Sequence, residues 1–105
     1  MDKTKREVNI GRRELLDTLQ IIHIIRKLHA DKIDEVDDAE FLGSIIWTIL
    51  DSLENTEDKC SVKLAIEERF AVWLCLNQCQ QFTIETKLKD EYEYVSNIMT
   101  TFGGI

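Results

Sequence analysis

No proline interrupts the 105-residue chain, and glycine occurs only four times, two of them in the closing Gly103–Gly104–Ile105 stretch. Turn-rich β folds reverse the chain with those two residues. A chain nearly without them favours helices, each of which closes its hydrogen bonds within itself. Apolar residues make up 44%, too many for global disorder. The length suits one domain with a modest core. The expected class is all-α, a small up-and-down four-helix bundle over 1–105, with 1–9 as a flexible charged arm.

Apolar residues recur at helical spacing in four segments. The first helix is expected from Gly11 or Arg12 to Ala30. Within "LDTLQIIHIIRKLHADK", Ile21, Ile22, Ile24, Ile25 and Leu28 occupy one side, and Gln20, His23, Arg26 and Lys27 the other. His23 is therefore expected to be accessible or at an interface. An acidic loop, 31–38, follows, with Asp37 or Asp38 as N-cap of a second helix, because a short side-chain oxygen can accept from free amides. That helix, Ala39 to Glu54, carries Phe41, Leu42, Ile45, Ile46, Ile49, Leu50 and Leu53 as one stripe, with Trp47 off it. After a break at Asn55–Lys59, a third helix is expected from Asp58 to Gln81, with Val62, Ile66, Phe70, Trp73 and Leu76 as its stripe. Phe82 and Thr83 mark a turn, with Thr83 as cap. The fourth helix, Ile84 to Thr101, presents Ile84, Leu88, Tyr92, Val95, Met99 and Phe102, and glycine ends it.

Helices one and three carry more apolar surface than one side of a small bundle needs. Leu15 and Leu16 in the first, and Leu64 and Leu74 in the third, fall outside the main stripes. Surface of that kind must be covered. Burial at the centre of the fold would do it, but the expectation is a two-fold homodimer, the commonest soluble assembly, through apolar surface of helix one or helix three.

The formal net charge of −7 is uneven: residues 1–32 carry +3 and residues 33–105 carry −10. An acidic body repels phosphate backbones, and no recognition helix is evident, so sequence-specific nucleic-acid binding is not expected. The basic start (Lys3, Lys5, Arg6, Arg12 and Arg13) reads as a solvated arm. No apolar run reaches the length of a membrane span, which takes about 18 residues or more, and the first residues lack the apolar core of a signal peptide. Three cysteines without a CxxC suggest free thiols in a reducing compartment, hence a cytoplasmic protein.

Chemistry-bearing patterns are few. His23 and His29 share no face well, and no HExxH occurs. Cys75 and Cys79 lie one turn apart, which is half a zinc site at most, and are expected to be reduced packing residues. There is no GxSxG and no phosphate-cradling glycine loop. Glu54/Glu57, Asp34/Asp37 and Glu35/Asp38 have the i, i+3 spacing with which all-helical MazG-like nucleotide pyrophosphatases hold magnesium. All three pairs fall in or beside expected loops, whereas a metal site needs rigid supports. No enzyme, metal or cofactor is expected.

The expected function is that of a small acidic protein-binding module, an inhibitor or immunity-type protein in general character, occupying a basic partner surface. The residues expected to carry it are Asp34, Glu35, Asp37, Asp38, Glu40 and Trp47, since an aromatic off the core stripe can supply much of an interface's energy. The alternative is a homo-oligomer that binds a small anion such as a nucleotide between helices, through His23, Arg26 and Lys27.

Overall fold

A computed structural model describes residues 5–28, 36–54 and 58–102, and of residues 36–39 only the backbone. The element order is β1 (Arg6–Gly11), α1 (Arg12–Leu28), α2 (Val36–Leu53), β2 (Lys59–Leu64), α3 (Ile66–Glu85) and α4 (Lys89–Phe102). The fold is mostly helical, with four helices among the described residues. It also has a two-stranded antiparallel sheet that the all-α expectation omitted.

Both strands lie where other structure was expected. Residues 6–9, read as an arm, enter β1, and residues 59–64, read as the first turns of the third helix, form β2. Their burial alternates. Val8 and Ile10 face inward opposite Val62 and Cys60, while Glu7, Asn9, Ser61 and Lys63 face outward. This is the period of two that a half-buried strand requires. Val62 and Ile66 are also four apart, so the stretch satisfied a helical template. The Ser61 hydroxyl donates to Glu7 Oε1 at 2.5 Å across the outer face. The Arg12 amide donates to the Asp58 carbonyl at 2.7 Å, just beyond the paired strands. A two-stranded sheet is marginal by itself; this one is held because its inner face packs on the helices.

The α1–α2 hairpin lies between the two strands in sequence and returns the chain beside its start. Arg12 Nη1 donates to the Leu53 carbonyl at 3.1 Å. That satisfies one carbonyl at the end of α2 with a cation, as the helix dipole favours. α2 begins at Val36, so Asp37 and Asp38 lie within it rather than capping it. The rest of the expected acidic loop, 31–35, lies outside the described residues, as do Ala30 and 55–57.

α3 runs on through Phe82 and Thr83, where a turn was expected, and ends at Glu85. The turn comes at Thr86–Leu88. Leu88 N–H donates to the Thr83 carbonyl at 2.9 Å, and Lys87 takes a left-handed φ of 59°. At the other end of α3, Ala65 N–H donates to Glu68 Oε1 at 2.9 Å, the half of a capping box that an alanine cap allows. The α3–α4 hairpin is the most extensive helix–helix contact, and α1 packs against both α2 and α3.

The core draws on every element. It takes Leu15 and Ile22 from α1, Ile45, Ile49 and Leu53 from α2, the inward strand residues, and Val72, Cys75 and Leu76 from α3; α4 adds Val95, Ile98, Met99 and Phe102. The buried line of α3 is thus Arg69, Val72, Leu76 and Thr83. The expected stripe was rotated away from it, since Ile66 and Phe70 are exposed. On α1 the buried residues are Leu15, Thr18 and Ile22, whereas Ile24 and Leu28, assigned to the apolar side, are exposed. Half of the α4 face, Ile84, Leu88 and Tyr92, is likewise exposed.

Candidate functional site

Two surfaces of the described residues carry arrangements that a packed core does not explain. The first is the outer face of α2. Glu40, Ser44, Trp47 and Asp51 succeed one another at spacings of four, three and four, which sets them in a line along a helix. All four are exposed, and the exposed Glu54 follows the helix end. Trp47 sits midway along this acidic line and is 70% exposed. The opposite side of α2 is anchored by Ile45, Ile49 and Leu53, so packing fixes which face the tryptophan presents.

Of the residues expected to bind a partner, Glu40 and Trp47 are brought onto this one face. Asp37 and Asp38 belong to the first turn of the same helix, their side chains lying outside the description, and Asp34 and Glu35 lie outside the described residues altogether. Asp51 was not among the expected residues. Its signal was available in the spacing, since it falls four residues after Trp47.

The residues expected for an anionic ligand, His23, Arg26 and Lys27, all lie on α1. His23 and Lys27 are exposed on α1, His23 being accessible as expected. Arg26 is partly buried and reaches across to α2. A Cβ placed on Gly43 would meet its Nη2 at 3.4 Å. Glycine at 43 leaves the guanidinium room to lie over the helix.

The second surface is a cleft of about 260 Å³ at the outer edge of β1. Arg6, Glu7 and Asn9 line it from the strand, Arg69 from α3, and Thr101 and Phe102 from the end of α4. Arg69 is only 8% exposed. Its place on the buried line of α3, three residues before Val72 and seven before Leu76, carries it inward. Its Nε is sealed from solvent and has no hydrogen-bond partner among the described residues. Sequence reasoning missed this residue because it weighed only apolar side chains along α3, although Arg69 falls within that stripe, three residues after Ile66 and four before Trp73. Phe70 and Trp73 in fact stack near-parallel, with centroids 6.4 Å apart, towards the surface.

The cysteines are free thiols. Cys60 points inward from β2, and burial pushes the Cys75 thiol up to about 11 and raises that of Cys79 as well. A thiol held protonated is a poor nucleophile and a poor metal ligand. No group of three or more potential metal-binding side chains stands together among the described residues. None of their helices is long and apolar enough to cross a membrane. No family model, curated protein or solved structure matches the chain.

Proposed function

We propose that this chain is a non-enzymatic protein-binding module that docks a basic partner surface through the outer face of α2. The observation that carries this reading is Trp47, 70% exposed between Glu40 and Asp51 on one helical line. An exposed indole forgoes the stabilisation that burial would bring, and tryptophan is a frequent interface hot spot. The surrounding carboxylates would steer a cationic partner and set its orientation, adding more to association rate than to affinity. The net charge of −7 favours the same class of partner. Free, partly buried thiols suit a reducing compartment such as the cytoplasm.

Matched affinity purifications from the native host would test this, with wild-type protein, Trp47→Ala and the double variant Glu40→Lys/Asp51→Lys as baits. A basic protein retained by wild type and lost by both variants is the expected outcome. Trp47→Ala should cost about 2 kcal/mol of binding, a hot-spot loss, and the charge reversal should chiefly slow association. Equal retention by all three baits would refute the assignment of this face.

A second copy of the chain is a further proposed partner, through a different surface. Ile66, Phe70 and Leu74 lie four residues apart on the exposed side of α3, and Leu16 is exposed on α1. Each is already about half buried, so covering the rest favours association by roughly half of the 1.5–3 kcal/mol that full burial of such a side chain is worth.

A further inference from the structure

We infer that the cleft at the outer edge of β1 is a binding site for a small oxyanion, the phosphate or carboxylate group of a small molecule, gripped by Arg69. A guanidinium removed from water needs its donors satisfied, and one left without an acceptor is a standing cost to the fold. Arg69 is more than nine-tenths buried, its Nε lacks a partner among the described residues, and the side chain lines the cleft. No acceptor among the described residues reaches that Nε, and the cleft that the Arg69 side chain lines is where one can be supplied. Arginine presents its donors as a planar fork that matches two oxygens of a carboxylate or phosphate.

The surroundings fit an anion of modest size. The cleft holds about 260 Å³, which admits an oxyanion with a short substituent. Arg6 lines the same cleft and adds a second positive charge, although it has an interaction of its own within the chain. Asn9 and Thr101 add neutral polar groups that can donate. One wall is unfavourable: Glu7 also lines the cleft, but its Oε1 is engaged by the Ser61 hydroxyl on the outer face of the sheet. This inference is independent of the α2 face, which lies on another element and would attract ligands of the opposite sign.

The test uses the full chain and two probes, sodium phosphate and sodium succinate, each against sodium chloride at matched ionic strength. Binding to the native state raises the unfolding temperature, so a saturable rise in the millimolar range with either probe is expected, and the better probe identifies the group. In two-dimensional NMR the amides that move first should be those of Glu7, Asn9, Arg69 and Thr101. Arg69→Leu should fold, since it removes a cation with an unsatisfied donor, and should abolish the response. Arg69→Lys, which keeps the charge but loses the fork, should weaken binding at least about tenfold, equivalent to 1.4 kcal/mol. Glu7→Gln should bind more tightly, because it removes the repelling carboxylate among the described lining residues. The inference is overturned if neither probe gives a saturable response, if the moving amides centre elsewhere, or if Arg69→Lys and Glu7→Gln change affinity equally or not at all. Should Arg69→Leu fail to fold, those last three readouts still decide the matter.

Discussion

Tyr94 shows how much one side chain can couple in this molecule. Its hydroxyl donates to Asp17 Oδ2 at 2.5 Å, linking α4 to α1 across 77 residues of chain. Burial, then the hydrogen bond to Asp17 and the charges of Asp17 and Glu14, pushes its pKa up to about 12, and Cys75 moves in the same sense to about 11. Both groups hold their proton more tightly folded than unfolded. Their contribution is therefore complete below the unfolded values, near 9 for the thiol and about 10 for the phenol. It drains away as pH rises through the folded values. The urea midpoint should fall between pH 9 and about 12, and Tyr94→Phe should remove part of that fall. At neutral pH the same variant should lose about 1–2 kcal/mol, the lower range for a hydrogen bond to a charged acceptor that is not fully buried. A midpoint unchanged in Tyr94→Phe would show that the contact contributes nothing.

Among the elements, α2 has one position where local propensity and tertiary space can be separated. Gly43 lies inside the helix, where glycine is less favourable than alanine by about 1 kcal/mol. The nearest atom to a Cβ there is Nη2 of Arg26, at 3.4 Å, the far end of a flexible side chain. Gly43→Ala should therefore stabilise by roughly 0.5–1 kcal/mol, read as a higher urea midpoint with an unchanged slope. Destabilisation would mean that Arg26 cannot yield and that its place over α2 is structurally required.

At the scale of the whole molecule, the exposed apolar line on α3 bears on how many copies associate. Of the four leucines that looked surplus in the sequence, Leu15 and Leu64 are fully buried in the core, whereas Leu16 and Leu74 are about two-fifths exposed, at 43% and 42%. Light scattering at micromolar concentration should give a mass near twice the 12.3 kDa of one chain. Leu74→Ser with Phe70→Ser should return it to one chain without loss of helix. A wild-type mass of one chain would end the dimer proposal. A dimer that persists in the folded double variant would move its interface away from α3.

The sequence by itself determined a mostly helical class and the positions of its principal helices, because helices are local. Their hydrogen bonds close within a few residues, so periodicity and the want of proline suffice to reveal them. It also placed Trp47 off the core stripe of α2 and His23 on an accessible face, since each position was set against a strong run of apolar neighbours on its own helix. The strands, by contrast, depend on contacts between distant segments. Arg6–Gly11 and Lys59–Leu64 are each short and ambiguous, and each becomes a strand because the α1–α2 hairpin brings the other beside it. The α3–α4 boundary was settled in the same way, by packing that carries α3 past Thr83 where no glycine or proline marks an end. Arg69 is the clearest case. Whether it meets water or the interior depends on how α3 is rotated, and that rotation is set chiefly by packing against α4 and against α1, the latter distant in sequence.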